Sequence, residues 1–155
     1  MVSFMADTVV VISADDPGMA SSQNEQDNRN YAKFAQMPML EPSDSQEAYD
    51  FAIRAFELSE QFKMPVLFRM TTRVCHSRGP VNLHKTVEAK KIGNYVKDVK
   101  TKVMIPAYAK KAHVRLVHSM MDLAAYNEKE TSLRQVIGDS KELGIITSGV
   151  AAQHV

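Results

Sequence analysis

The sequence predicts an α/β protein with a mainly parallel sheet flanked by helices. Three short runs are predicted to be strands: Thr8–Ala14 and residues 66–72 (VLFRMTT), which are rich in β-branched and aliphatic residues, and between them the shorter candidate Met37–Leu40, which Pro42 ends. Helical patterns separate these runs, and strands that alternate with helices pair in parallel because each crossover returns the chain to the same end of the sheet. The first and third runs contain few polar residues, so we expect both to be buried on both faces.

The clearest helix is predicted within residues 41–62 (EPSDSQEAYDFAIRAFELSEQF). Ser43, with Gln46 three residues later, has the spacing of a capping box. Small and apolar residues then recur at helical intervals on one side, with charged residues on the opposite side. This stripe consists of Ala48, Phe51, Ala52, Ala55, Leu58, Ser59 and Phe62.

Two further helices are predicted, one at Asn28–Gln36 and a long one from Pro106 onward. The long helix repeats apolar residues every three or four positions. His113 and His118 on it are five residues apart, whereas two histidines that share a metal are four apart, so we expect both at the surface. The apolar stripe consists of Ala109, Ala112, Leu116, Met120 and Leu123.

These patterns divide the chain into three segments. We predict a partial α/β domain at 1–83, a linker and the long helix at 84–141, and the beginning of the next α/β domain at 142–155, with a strand, a Ser-Gly turn and a helix start. The lysine-rich stretch 84–102 is interpreted as a surface connection, with a phosphate-binding or acidic-partner patch as the alternative. Because the chain opens on a strand and closes inside an α/β unit, we expect it to be a piece of a larger enzyme.

Composition excludes several classes of protein. Hydrophobic residues make up 45% and charged residues 24%, which is typical of a globular domain, and a net charge of +1 gives no electrostatic basis for binding nucleic acid or a membrane surface. No apolar run approaches the ~20 residues of a spanning helix, and the first residues lack the pattern of a signal peptide. The single cysteine, Cys75, excludes an internal disulfide and a self-contained iron–sulfur cluster, which takes about four thiolates. We expect a cytoplasmic protein.

Two polar loops follow predicted strands, at Asp15–Asp27 and Thr71–Arg78. In a parallel sheet both would emerge at the same edge, and ligands of open α/β sheets bind outside the carboxyl ends of strands. An acid- and amide-rich loop that faces a loop with arginine and histidine could hold a small carboxylate substrate or a cofactor. The alternative is that these are only capping and turn residues, which Asp, Ser and Asn favour for local reasons. Cys75, in the second loop, is interpreted as a small apolar residue rather than a nucleophile.

Three stretches resemble one family, in the same order along the chain: residues 13–48 (SADDPGMASSQNEQDNRNYAKFAQMPMLEPSDSQEA), 71–81 (TTRVCHSRGPV) and 142–155 (ELGIITSGVAAQHV). They are similar to the α subunits of indolepyruvate ferredoxin oxidoreductases, which are thiamine diphosphate-dependent 2-oxoacid oxidoreductases. The resemblance implies the thiamine diphosphate-binding fold, with residues 1–83 as part of its pyrimidine-binding domain.

The activity that the resemblance implies is oxidative decarboxylation of aryl 2-oxoacids such as indolepyruvate to the aryl-acetyl-CoA, through a thiamine diphosphate carbanion or enamine. Coenzyme A accepts the acyl group and ferredoxin accepts the electrons. The full enzyme would hold thiamine diphosphate with Mg²⁺ and iron–sulfur clusters, and would contain the remaining segments of the α subunit and a β subunit.

The same resemblance assigns site residues. The first loop is expected to lie beside the cofactor and substrate, with Ser21, Ser22, Gln23, Asn24, Glu25, Gln26 and Asp27, and the second loop matches the family at Thr71, Thr72, Arg73 and His76. The sequence departs from the family at Ala20, where a histidine usually follows the methionine.

The resemblance also implies an activating glutamate from a segment that precedes Thr8, which we expect to lie outside this chain, and the Mg²⁺-binding and cysteine segments of the family do not occur in these 155 residues. We therefore expect no catalytic residue, metal site or bound cofactor in this chain alone, and no activity from it. We expect the isolated chain to form a homo-oligomer. The alternative function is a non-catalytic α/β interaction or small-molecule-binding module derived from the same scaffold.

Overall fold

The computed structural model describes residues 8–84 and 96–155. These residues divide into two compact units, one comprising residues 8–84 with Thr147–Val155 and the other comprising Val96–Ile146. The predicted domain boundaries at 83 and 141 concern a longer protein and stay predictions. Part of the lysine-rich linker, residues 85–95, lies outside the described residues.

The first unit is built on a parallel sheet of three strands, as the sequence predicted. The strands are β1 (Val10–Asp15), β2 (Met39–Leu40) and β3 (Val66–Thr71), in the spatial order β1-β3-β2. Val10 pairs with Val66 and Met39 pairs with Leu67, so β3 is central and all three carboxyl ends point the same way. Helices α1 (Arg29–Ala35) and α2 (Ser45–Phe62) connect the strands.

The strands differ in burial because they differ in position. β3 is almost wholly buried, since it has a strand on each side and α2 packs on it. β1, by contrast, pairs only with β3 within the described part of the chain, and Val11 and Ile12 remain 40% and 72% exposed. The prediction that β1 is buried on both faces is therefore wrong in this structure, because burial of a strand depends on neighbours as well as on its own composition.

Helix α2 begins one residue later than its predicted capping box. Asp44 is the N-cap, and its side chain accepts a 2.8 Å hydrogen bond from the backbone N–H of Glu47. The Glu47 carboxylate in turn accepts a 2.7 Å bond from the N–H of Ser43. The cap is thus made by Asp44, with Glu47 reaching back to Ser43, rather than by Ser43 with Gln46. Gln46 instead pairs through its side chain with the backbone of Asn82.

Replacing Asp44 with alanine is expected to lower the free energy of unfolding by about 1 kcal/mol, because the N–H of Glu47 loses its acceptor. Asp44→Asn keeps an oxygen acceptor at the same position and is expected to cost only a few tenths of a kcal/mol. Urea denaturation followed by circular dichroism checks both variants. Equal effects of alanine and asparagine would show that this hydrogen bond does not set the start of α2.

Two shorter segments differ from their predictions. The second polar loop is in part a helix, α3 (Thr72–His76), whose last turn carries Arg73 and His76, where basic side chains favour a helix C-terminus. The strand predicted after residue 142 is absent from this described segment, because Ile145 and Ile146 are exposed and no strand pairs with them. A 3₁₀ helix at Gly149–His154 follows.

The second unit contains α4 (Val99–Lys102) and α5 (Pro106–Lys129). Pro106 occupies the first turn of α5, as predicted. The five predicted stripe residues of α5 are all half-buried, whereas His113 and His118 are exposed, which confirms the predicted helical period.

Candidate functional site

The two predicted polar loops meet at the carboxyl ends of β1 and β3. Asp15 and Thr71 end these strands side by side in the register. The first loop follows β1 and α3 follows β3. Between the loop and α3 lies an open cavity of about 260 Å³. Ten residues line this cavity: Ala14, Asp15, Asp16, Ser21, Ser22, Gln26, Met70, Thr72, Cys75 and His76.

The carboxylate of Asp16 organises the wall of this cavity. It accepts hydrogen bonds from the backbone N–H groups of Ala20, Ser21 and Ser22, at 3.0, 2.7 and 2.5 Å. The hydroxyl of Thr72, on α3, donates a further 2.8 Å bond to it. These donors, the N–H of Ser22 foremost, hold the pKa of Asp16 well below its ordinary value. One carboxylate thus joins the first loop to α3.

The low pKa of Asp16 makes the stability of this unit depend on pH. Since the folded-state pKa lies below the ordinary value of 3.8, the stabilising contribution of the carboxylate is complete above about pH 5, starts to fall near pH 3.8 and is lost as the pH drops toward the folded-state pKa. We expect the urea midpoint of the wild type to fall between pH 6 and pH 3, and to fall less in Asp16→Asn. Parallel pH profiles of the two proteins would contradict this assignment.

A buried ion-pair network lies beneath the cavity. The guanidinium of Arg69, on β3, contacts the carboxylate of Asp15 at 2.6 Å and that of Glu41 at 2.5 Å. The side chains of Asp15 and Arg69 are 0% and 4% exposed. Asp15 also accepts a 3.0 Å bond from the N–H of Asn28, whose side-chain amide donates to the hydroxyl of Ser13 and the carbonyl of Ala14. Arg69 on β3 therefore links Asp15, at the end of β1, with Glu41, which directly follows β2, through two ion pairs.

The structure brings only some of the predicted site residues to the cavity. Ser21, Ser22, Gln26, Thr72 and His76 line it. The remaining members of the first loop, Gln23, Asn24, Glu25 and Asp27, lie outside its lining. Of these, Asp27 forms an exposed ion pair with Arg29, whose side-chain hydrogen bond lowers the pKa of Asp27 to about 2.

The other two predicted residues of the second loop point elsewhere. Arg73 lines a separate cavity of about 320 Å³ beside the start of α2. Thr71 is buried, and its hydroxyl is the one buried side-chain polar atom without a hydrogen-bond partner among the described residues. The family resemblance implies a histidine at the position of Ala20. Ala20 is exposed and lies outside the cavity lining, and its backbone N–H donates a hydrogen bond to Asp16.

No motif in the sequence distinguishes Asp15, Asp16 or Arg69. The first two were included among many polar loop residues, with nothing to distinguish them. A usable signal for Arg69 was its place inside an otherwise apolar strand, since a buried guanidinium needs an anionic partner. For Asp16 the signal was the following Pro-Gly turn, which can bring later backbone N–H groups back to an acidic side chain.

The described residues offer no metal site, and their cavity is small. In residues 8–84 and 96–155, no group of three or more His, Cys, Asp or Glu side chains is placed to hold a metal ion. The cavity is smaller than the ~300–1,000 Å³ pockets that enclose drug-sized ligands. Among the described helices, none has the length and hydropathy to cross a membrane.

A parallel sheet flanked by helices, with a cavity at the carboxyl edge of its strands, defines an α/β domain of the open-sheet class. Within that class, residues 3–136 match the family described as "Pyruvate flavodoxin/ferredoxin oxidoreductase, thiamine diP-bdg". The match covers most of the chain, and the chain belongs to this family.

Curated relatives place the chain more closely. It is 46% identical over 149 residues to the indolepyruvate oxidoreductase subunit IorA of Methanothermobacter thermautotrophicus, covering 95% of this chain and 24% of that protein. The corresponding subunit of Thermococcus kodakarensis is 50% identical over 157 residues, covering 94% and 23%. A 2-oxoglutarate synthase subunit KorA of Methanocaldococcus jannaschii is 43% identical over 49 residues, covering 32% and 13%.

The chain thus spans about a quarter of the length of the indolepyruvate oxidoreductase subunits that it matches. No solved structure matches it significantly. The expected α/β fold and the expected family are both confirmed.

Proposed function

We propose that this chain forms one wall of the reaction site of a thiamine diphosphate-dependent oxidoreductase that decarboxylates aryl 2-oxoacids. The observation that carries the proposal is the cavity between the first loop and α3, in a chain that matches indolepyruvate oxidoreductase subunits over 95% of its length. The much shorter match to a 2-oxoglutarate synthase subunit favours the indolepyruvate type. Indolepyruvate and related arylpyruvates are the proposed substrates.

In this proposal, thiamine diphosphate, when bound, supplies the carbanion chemistry, and the residues of this chain supply position and polarity. Ser21, Ser22 and Gln26 present hydroxyl and amide groups from one side of the cavity, and Thr72 and His76 face them from α3. These five residues would contact the cofactor or the substrate, whereas Gln23, Asn24, Glu25 and Asp27 would not. The proposed set of contact residues is therefore smaller than the set predicted from the sequence.

The remaining parts of the machinery are proposed to come from elsewhere. The described residues hold no candidate metal cluster, so Mg²⁺ and the iron–sulfur clusters would be held by other segments of the α subunit and by a β subunit. Ferredoxin and coenzyme A would act on that assembly, in the cytoplasm. The exposed side chains of Ile12 and Phe34 are the kind of apolar surface that favours a homo-oligomer when the chain is alone.

The purified 155-residue chain is expected to give no turnover with indolepyruvate, coenzyme A and a viologen acceptor. Turnover by the chain alone would overturn the proposal that it supplies only one wall. Isothermal titration of the chain with thiamine diphosphate tests the alternative function. Tight binding without Mg²⁺ or a partner subunit would favour an independent small-molecule-binding module.

The assembled enzyme, with these residues in its α subunit, tests the positive claim. Gln26→Ala removes an amide from the cavity and is expected to lower kcat/KM for indolepyruvate about 3- to 10-fold, as the loss of one hydrogen bond does. Asn24→Ala, outside the cavity, is the matched control and is expected to stay within about twofold. Equal effects of the two variants would place the reacting groups away from this cavity.

A further inference from the structure

We propose that Asp16 is a positioning residue, an internal anion that holds the first loop and α3 in one arrangement. This inference rests on the proposed function only for its kinetic consequence. The underlying geometry is a cluster of backbone N–H groups that converge on a single carboxylate. Asp16 lines the cavity, but its carboxylate oxygens accept hydrogen bonds from other groups of the protein.

The local backbone is shaped to make this convergence possible. Gly18 and Met19 both have left-handed backbone conformations, with φ of 79° and 52°. Glycine adopts this conformation freely, whereas a methionine does so at a cost. The two residues reverse the chain, and the N–H of Met19 donates back to the carbonyl of Asp16 at 3.2 Å. After this reversal, the next three N–H groups meet the Asp16 carboxylate.

Four donors from two elements surround this carboxylate. Three are the N–H groups of Ala20, Ser21 and Ser22, and the fourth is the hydroxyl of Thr72 on α3. Every one of these partners donates, so the position requires an acceptor at both oxygens. A carboxylate meets that requirement, whereas the NH₂ group of an asparagine in the same place would face donors with further donors.

This arrangement has a consequence for ligand binding. Successive backbone N–H groups of this kind form an anion-binding concavity, which in other proteins holds a phosphate or carboxylate of the ligand. Here the protein's own carboxylate fills the concavity. The N–H groups of residues 20–22 are therefore not available to an acidic substrate, and the loop offers the cavity its side chains instead.

The first readout is amide hydrogen exchange in the 155-residue chain, for wild type, Asp16→Ala, Asp16→Asn and the control Asp27→Ala. Asp27 lies in the same loop but pairs with the exposed Arg29. We expect the amides of residues 20–22 to exchange at least about tenfold faster in both Asp16 variants, the factor that one lost hydrogen bond to a charged acceptor corresponds to. The control should match the wild type, and β3 amides should not change.

Formate separates an anionic role from a space-filling one. Formate fits the space that the removed carboxylate leaves in Asp16→Ala and supplies two acceptor oxygens. It is therefore expected to restore slow exchange at residues 20–22 in that variant. Chloride at equal ionic strength should not. If Asp16→Asn behaves like wild type, or if formate has no effect on Asp16→Ala, the inference is overturned. If Asp16→Ala does not fold, the exchange rates of residues 20–22 in Asp16→Asn test the inference on their own.

The second readout is kinetics of the assembled enzyme. We expect Asp16→Ala to lower kcat/KM for the 2-oxoacid at least about tenfold, with partial rescue by formate. Unchanged exchange at residues 20–22 would overturn the role of Asp16, whatever the kinetics. Faster exchange with unchanged kinetics would leave Asp16 as the holder of the loop and would instead overturn the proposed function of that loop.

Discussion

Replacing Arg69 with methionine is expected to lower the free energy of unfolding by about 3–5 kcal/mol, which is the cost of removing one partner from a buried ion pair. Methionine has a similar length and fills the space, so the loss is electrostatic rather than a cavity. The side chain of Asp15 is fully buried and that of Glu41 is 14% exposed, and both would lose their contact with the guanidinium. Such a loss is a large share of the ~5–15 kcal/mol that holds a typical domain.

Urea denaturation at pH 7 measures this effect, and Arg29→Met is the matched control. Arg29 also pairs with a carboxylate, that of Asp27, but with 59% and 42% of the two side chains exposed. Water already screens such a pair, so the control is expected to leave the midpoint unchanged within error. If the two arginine variants shift the midpoint equally, the network beneath the cavity does not stabilise the fold.

Replacing Gly149 with alanine is expected to weaken the packing of the 3₁₀ helix Gly149–His154 within the first unit. Gly149 has φ of 57°, a conformation that costs an alanine about 1–2 kcal/mol. The added Cβ would also meet the carboxylate of Glu41, with its Cδ only 2.8 Å away. Glu41 cannot swing aside without leaving Arg69. Together these effects should weaken the docking of residues 150–154 by at least about 2 kcal/mol.

Hydrogen exchange of residues 150–154 measures the docking, and Gly138→Ala is the control. Gly138 also has a positive φ, of 83°, but a Cβ there would meet nothing within 4 Å. The control therefore carries the backbone strain without the collision, and exchange at residues 150–154 should match the wild type. Unchanged exchange in Gly149→Ala as well would mean that Glu41 yields easily and that its pairing with Arg69 is weak.

Much of the fold follows from local patterns in the sequence. β-branched runs predicted β1 and β3, the short apolar run Met37–Leu40 predicted β2, and Pro106 with its apolar repeat predicted the start and inner side of α5. The start of α2 was misplaced because Ser43, Asp44 and Ser45 can all cap a helix, and only the reach of Glu47 back to Ser43 decides among them. The burial of β1 depends on its neighbours, which its own composition does not describe.

The position of the cavity could be predicted from the sequence, but the residues that line it could not. Two polar loops at the carboxyl edge of a parallel sheet were enough to locate the cavity. Which side chains enter it depends on how the first loop folds on itself. The N–H groups of residues 20–22 turn toward Asp16, and Glu25 accepts a 3.2 Å bond from Gly18, which leaves Gln26 at the cavity and residues 23–25 outside it. No local spacing rule encodes that path.

The strand order β1-β3-β2 also dictates when the sheet can assemble during synthesis. Val10 pairs with Val66, and β2 likewise has β3 as its partner, so neither earlier strand has its described partner until β3 has been made. At about 5–20 residues per second, the ribosome needs on the order of seconds to cover that distance. Among the described residues, the pairing of β1 and of β2 is therefore non-local in sequence, and β3 is the strand that brings the two together.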